Sequence, residues 1–301
     1  MNTHPTPKNR LNRFTVGLAQ IAPHLGDVTA NLAIHLDAIR QARQEGVDLL
    51  VFPELSLTGY KLMDLVPSVA RPAHAQDPIL AKLLAEASNG DREMAVVVSF
   101  VEEDRRHRFY TVAAFLYAGE IQHVHRKVHL PTYGMFDEGR YLANGESIRA
   151  FESPWGRMAM LVCEDFWHMS SAYLAWLDGA DMLIIPTASP ARVASADSPT
   201  FTITQSVEQI LGTYAGLFST HILLCNRTGV EDGIGFSGAS MVFGPTGNVL
   251  GRAPDLTDSL FTLELDLDAV RRARLASPIL RDERPHWVMR QMQEILEIER
   301  G

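Results

Sequence analysis

The sequence predicts an α/β protein in which mixed β-sheets carry helices on their outer sides, within one domain. Three observations lead there. Short apolar runs of strand length alternate with longer segments whose apolar residues recur at helical spacing. Hairpin-type turn signals (Ala118-Gly119, Pro154-Trp155-Gly156 and Pro245-Thr246-Gly247-Asn248) separate some of the strand-like runs, so part of the pairing is antiparallel. No internal repeat and no low-complexity linker divides the chain, so strands and helices mix throughout.

In chain order, residues 14–21 read as the first strand. Asp27 opens a helix that runs to about residue 44, with Leu32, Leu36 and Ile39 on its apolar face, and Gly46 breaks it. Residues 47–52 form a buried strand stopped by Pro53. Glu54 therefore stands at the carboxyl end of a strand, the edge where functional groups gather in α/β sheets. Residues 77–87 are a second helix, 94–101 a strand, and 110–117 with 120–125 a hairpin. A long irregular connection comes next, residues 126–141, dense in charge and aromatics; loops of that length in a compact domain are usually functional. Residues 148–151 and 157–163 make another hairpin, 170–178 a helix and 182–185 a strand ended by Pro186-Thr187-Ala188-Ser189-Pro190. A long helix at 200–219, strands at 221–225, 239–243 and 260–265, and helices at 267–275 and 286–298 complete the chain.

Composition excludes several classes. With 301 residues the chain buries a sizeable core, and 46% hydrophobic with 21% charged residues is ordinary for a soluble globular protein. A net charge of −9 argues against a nucleic-acid surface. No apolar run approaches the roughly 18 residues of a membrane span. Residues 1–13, polar and carrying two prolines, read as a flexible tail without the apolar stretch of a secretory signal, ahead of a single domain at 14–301. Two cysteines, Cys163 and Cys225, make no disulfide framework, so a reducing compartment, the cytoplasm, is expected.

Both cysteines end apolar strands, and a free cysteine in that setting is commonly core filling. Cys163 differs in running directly into an acid–aromatic stretch, Glu164-Asp165-Phe166-Trp167. Glu54, Lys127 and Cys163 stand at three strand ends and make chemical sense together. A thiol near pKa 8.5 is only a few per cent thiolate at neutral pH. A carboxylate can take its proton, a nearby ammonium favours the thiolate, and the same ammonium can donate to an oxyanion. Nucleophile, base and charge stabiliser form a complete set for acyl transfer that needs no metal or cofactor. His123, His125 and His129 have a spacing that can serve zinc; a polar strand face is the plainer account, and no metal is expected.

Three motifs in order, Phe52-Pro53-Glu54-Leu55-Ser56-Leu57-Thr58-Gly59-Tyr60, Arg126-Lys127-Val128-His129-Leu130-Pro131 and Cys163-Glu164-Asp165-Phe166-Trp167, resemble the nitrilase superfamily of carbon–nitrogen hydrolases, as do Gly179-Ala180-Asp181, Asn226-Arg227-Thr228-Gly229 and Phe236-Ser237-Gly238-Ala239-Ser240. The resemblance runs from about Phe14 to the C-terminal helix. It implies a four-layer αββα sandwich with two mixed sheets, commonly paired as a homodimer or larger homo-oligomer. It implies Cys163 as nucleophile, Glu54 as general base, Lys127 and the backbone N–H of Glu164 as oxyanion donors, and Glu138 as a second glutamate that orients Lys127 or assists proton transfer. The implied reaction is hydrolysis of a small linear amide through a thioester, releasing ammonia or an amine; nitriles, glutamine-derived ammonia for a separate partner, and a non-catalytic binding role are the alternatives. The loop from Leu130 to Tyr141 and Ala188-Ser189-Pro190 resemble the glutaminase domain of glutamine-dependent NAD synthetases, which places Tyr133 and Ser189 at substrate. Those enzymes carry a C-terminal synthetase domain, and this sequence ends at Gly301, so a stand-alone amidase is expected. Asp165, Trp167 and Arg192 are further candidates for the substrate pocket, Asp165 toward a substrate ammonium and Arg192 toward a carboxylate.

Overall fold

Side-chain alternation along each strand sets the layers. The first sheet contains β1 (Arg13–Gln20), β2 (Leu49–Val51), β3 (Ala95–Glu103), β4 (Phe109–Tyr117) and β5 (Glu120–Arg126). The second contains β6 (Ala150–Ser153), β7 (Gly156–Met160), β8 (Met182–Thr187), β9 (His221–Asn226), β10 (Met241–Phe243) and β11 (Val249–Arg252); β12 (Ser259–Asp266) returns to the first. The strand orders are β12-β1-β2-β3-β4-β5 and β11-β10-β9-β8-β7-β6. Each sheet is mixed: β1, β2 and β3 run parallel, as do β7, β8 and β9, with antiparallel neighbours outside them. The computed structural model describes residues 13–90, 92–191, 193–195 and 198–298. The expected tail lies, except for Arg13, outside the described residues.

Because strand side chains point alternately to opposite faces, Leu49 and Val51 enter the layer between the sheets, where they meet Met160, Ile184 and Leu223, while Leu50 points outward. Outside the first sheet lie helices α1 (Val28–Gln44) and α2 (Pro78–Ala87), which bury Leu32, Ile39, Leu80 and Leu83 against Leu50, Val96 and Val112. Outside the second lie α3 (Met169–Leu177) and α4 (Thr202–Phe218), which pack Trp176, Leu211 and Phe218 on Leu183, Ile185 and Leu224. The result is the four-layer αββα sandwich. Asp27 and Asp77 cap α1 and α2 by accepting from backbone N–H groups of the first turn, which fixes where those helices start. Helices α5 (Asp268–Ala276) and α6 (Pro285–Ile298) close the chain, and α6 buries none of its side chains. Among the described residues no helix is long and apolar enough to cross a membrane.

One boundary differs from the sequence expectation in a way that matters. The strand before Cys163 ends at Met160, and Cys163 opens a 3₁₀ turn, Cys163–Trp167. Its φ of +44 lies in the left-handed region, which costs a non-glycine residue of order 1 kcal/mol and is held only where surroundings dictate it.

Candidate active site

The carboxyl ends of β2 and β5 in one sheet meet those of β7 and β8 in the other. Glu54 follows β2, Lys127 follows β5, Cys163 follows β7 and Thr187 ends β8, so the two sheets contribute opposite halves of one cluster. All four side chains are buried.

Lys127 is its centre. The Nζ donates to Glu54 Oε1 at 2.7 Å and to Glu138 Oε2 and Oε1 at 2.8 and 2.9 Å. Tyr60 donates its hydroxyl to Glu138 Oε1 at 2.6 Å. Burial by itself would strip the proton from Lys127, but the charges of Glu138 and Glu54 outweigh it and hold the ammonium. Glu54 is the reverse case. Burial pushes its carboxyl up to about 7 from an ordinary 4.5, with Lys127 pulling the other way and Glu138 adding to the rise. The second oxygen, Oε2, has no protein hydrogen-bond donor among the described residues, and the Cys163 thiol lies close enough to act on the carboxyl's proton affinity. A carboxyl that titrates near neutrality beside a thiol is suited to take and return a proton.

Burial also pushes the Cys163 thiol up; the Glu54 charge adds to that rise, and Lys127 and the Thr187 hydroxyl oppose it. The sulfur therefore rests as a thiol, beside a carboxyl that is partly ionised at neutral pH. Thr187 Oγ1 donates to Sγ at 3.2 Å.

The remaining expected residues sort themselves by contact. Tyr133 donates to both oxygens of Glu164, at 2.9 and 3.1 Å, and His168 Nε2 lies 3.5 Å from the same carboxylate. Ser189 Oγ is 3.1 Å from Thr187 Oγ1, and its N–H donates to Asn226 Oδ1 at 2.8 Å. Trp167 is half-buried, stacked on Phe166 at 5.1 Å and packed toward the α3–α4 layer. Arg192 lies outside the described residues. Asp165 corrects the expectation of a pocket group. It has no exposed surface: Oδ1 accepts from Val128 N and His129 N at 3.0 and 2.9 Å, and Oδ2 from Val162 N and His125 Nε2 at 3.0 and 2.8 Å. These donors hold its carboxyl below its usual value against burial, which acts the other way. All four acceptor directions are taken, so the carboxylate staples the turn carrying Cys163 to the segment after Lys127 and has nothing left for a substrate ammonium.

His123 stacks on Phe151 and His129 on His168. Among the described residues no group of three or more His, Cys, Asp or Glu side chains is arranged to hold a metal. The sequence reading missed Tyr60, which closes the first motif, and Thr187, which stands in the stretch that ends a strand; a hydroxyl directly after the apolar run 182–186 was the available signal for Thr187.

Residues 15–275 match the carbon–nitrogen hydrolase family. The chain belongs to that family. It is a carbon–nitrogen hydrolase, and an amidase with an active-site cysteine is among its structural neighbours. It is similar to a glutamine-dependent NAD(+) synthetase of Thermotoga maritima, 33% identical over 272 residues that make up 89% of this chain and 45% of that protein. The chain thus spans about half the length of the synthetases it matches. It is also similar to an N-carbamoylputrescine amidase of Solanum tuberosum, 28% identical over 92% of this chain and 94% of that one. Among solved structures, a variant of an amidase from Nesterenkonia sp. AN1, with acrylamide added to its active-site cysteine, superposes with a TM-score of 0.71 at 26% identity, covering 87% of this chain and 98% of that one.

Proposed function

We propose that this carbon–nitrogen hydrolase cleaves a small amide through a thioester on Cys163. Glu54 takes the thiol proton as sulfur attacks the carbonyl carbon, and the oxyanion is held by Lys127 and the backbone N–H of Glu164. Glu54 returns that proton to the leaving nitrogen, the C–N bond breaks, and ammonia or an amine departs. Water then gives a proton to Glu54 and attacks the thioester; the C–S bond breaks, the acid leaves, and the proton returns to sulfur. Glu138, steadied by Tyr60, keeps the Lys127 ammonium aimed at the oxyanion. The observation that carries this reading is one buried ammonium clamped between two glutamates, one of which titrates near neutrality beside the thiol.

The substrate side of the proposal is a primary amide approached over Tyr133, Glu164 and Ser189, with Trp167 further out; Arg192 stays a candidate on its sequence position alone. The Tyr133–Glu164 pair offers a carboxylate to a substrate ammonium in the place first given to Asp165. That feature, together with the similarity to glutamine-dependent synthetases, supports glutamine as one member of the substrate class and ammonia delivery to a separate partner as the second reading. Cytoplasmic setting and homo-oligomeric assembly belong to the same proposal; the exposed Trp287, Met292 and Ile295 of α6 support the latter.

The test is ammonia release from a panel of glutamine, simple primary amides, N-carbamoyl amines and nitriles. We expect at least one amide to turn over and Cys163→Ala to abolish it. Activity on nitriles alone, or turnover surviving in Cys163→Ala, overturns the reading.

A further inference from the structure

We infer that Thr187 is a further catalytic residue of this site, its hydroxyl donating to the Cys163 sulfur and steadying the thiolate each time it forms. The inference rests on the proposal that Cys163 is the nucleophile.

The geometry that places Thr187 there is a strand-end juxtaposition. β7 and β8 run parallel in register, Met160 beside Ile184, so the turn after β7 and the last residue of β8 arrive side by side. Thr187 has no exposed surface, and its Oγ1 lies 3.2 Å from Sγ. A threonine hydroxyl has one proton. With that proton on sulfur, the 3.1 Å contact between Thr187 Oγ1 and Ser189 Oγ is supplied by the Ser189 proton. The result is a directed chain, Ser189 to Thr187 to Cys163. β-Branching leaves Thr187 few rotamers, so the donor is held at little further entropic cost. The Thr187 backbone adds a second tie: its carbonyl accepts the N–H of Glu54 at 3.4 Å and of Arg227 at 3.3 Å. One residue therefore touches the base through its backbone and the nucleophile through its side chain.

Chemically the need is clear. Glu54, Lys127, Tyr60 and Tyr133 are near enough to the sulfur for its charge and theirs to act on one another, and the backbone N–H of Ala188 acts on it too. Among the described residues Lys127 brings the positive charge that acts on the sulfur, and its donors are shared among Glu54, Glu138 and the oxyanion. Thr187 supplies a donor to sulfur that no carboxylate competes for. It keeps its proton throughout: the thiol proton goes to Glu54, the C–S bond forms, and when the thioester is hydrolysed the departing sulfur meets the same hydroxyl.

The test reads the thiol without any substrate. Alkylation of Cys163 by iodoacetamide is tracked by mass spectrometry across pH in the intact protein and in Thr187→Val, which keeps the shape and removes the donor, and in Thr187→Ser, which restores it. The midpoint of alkylation is expected to rise by about one pH unit in Thr187→Val, a tenfold loss of thiolate at fixed pH, and to return in Thr187→Ser. On any amide the panel identifies, kcat is expected to fall about tenfold with KM within twofold. Should Thr187→Val not fold, Thr187→Ala is read in the same way. An unchanged midpoint in whichever donor-less variant folds overturns the inference. Cys163→Ala separates this from the parent reading: turnover retained there overturns the nucleophile, whereas turnover lost there with wild-type behaviour in Thr187→Val overturns Thr187 alone.

Discussion

Cys163 and Cys225 make a controlled comparison within one molecule. Both lie at the carboxyl ends of strands in the same sheet, both are buried, and burial pushes both thiols up. They differ in what surrounds the sulfur. Cys225 sits in regular strand β9 and points its S–H between the sheets at carbonyls of the facing sheet, Val51 O at 3.1 Å and Ala19 O at 3.6 Å. A carbonyl can only accept, so those contacts favour the thiol; the Ser240 side chain opposes the rise, as Thr187 does at Cys163, but among the described residues no charged group acts on this sulfur. Cys163 sits one turn past its strand at φ +44, with a hydroxyl donor at 3.2 Å, a buried ammonium nearby and a carboxylate to receive the proton. Burial is common to both, so burial does not make a nucleophile. What sets Cys163 apart is the charged pair beside it, Glu54 and Lys127.

The comparison breaks most visibly at the sulfur. Cys163→Ala is expected to lower turnover by at least about 10⁴-fold, as loss of a covalent nucleophile does, measured as ammonia released from the best panel substrate. Glu54→Gln comes next. It keeps the shape and removes the base, and a loss of about 10²- to 10⁴-fold is expected. The pH dependence carries the sign. The carboxyl is raised to about 7 chiefly by burial, so the carboxylate that accepts the thiol proton is present above that pH and lost below it. Plots of kcat/KM against pH should therefore rise from about 6 and flatten by about 8, and the residual activity of Glu54→Gln should lack that limb. A limb near 4.5 instead would show that the base is not buried as described.

Much of this was legible in the sequence, and the reason lies in chain order. Glu54, Lys127 and Cys163 each come after a strand, and strand ends in such a fold share an edge, so a one-dimensional pattern carried three-dimensional information. Mixed sheets with helices outside came from strand-length runs and hairpin signals, while the four-layer order came from the family resemblance. Which way a side chain turns at that edge was not legible. Asp165 and Glu164 are adjacent acids, yet the 3₁₀ turn sends Asp165 inward to three backbone N–H groups and His125, while Glu164 meets Tyr133. The sequence reading offered Asp165 to a substrate ammonium, and its acceptor positions are all taken. Tyr60 and Thr187 escaped because their partners, Glu138 and Cys163, are 78 and 24 residues away, and only the pairing of strands within each sheet brings them together. Even the two cysteines looked alike locally, except for the acid–aromatic run after Cys163.

A smaller effect sharpens the contrast. Tyr60→Phe removes one donor from Glu138 and leaves the ring packed between Phe136 and Phe236. Glu138 keeps both contacts to Lys127, so the ammonium stays but is held less firmly. A hydrogen bond to a charged acceptor corresponds to roughly a tenfold effect or somewhat more, and it should appear in kcat, because Tyr60 acts on the group that meets the oxyanion. An unchanged kcat would mean that Lys127 alone fixes Glu138.

The smallest effect on chemistry is expected at the other cysteine. Cys225→Ala deletes a sulfur that fills space between the sheets and leaves its two carbonyl neighbours bonded in their strands. The loss is that of a small buried apolar group, about 1–2 kcal/mol of stability, read as a melting temperature lower by a few degrees. Turnover should stay within twofold of the parent, and the pH profile should keep its limb near 7, since no group that sets it contacts Cys225. In the folded parent, iodoacetamide should label Cys163 and leave Cys225 unmodified until the sheets separate, so labelling of Cys225 should track unfolding in denaturant and not pH. Labelling of Cys225 under native conditions with the same pH midpoint as Cys163 would show that burial, and not the donor and base around the sulfur, sets reactivity in this protein.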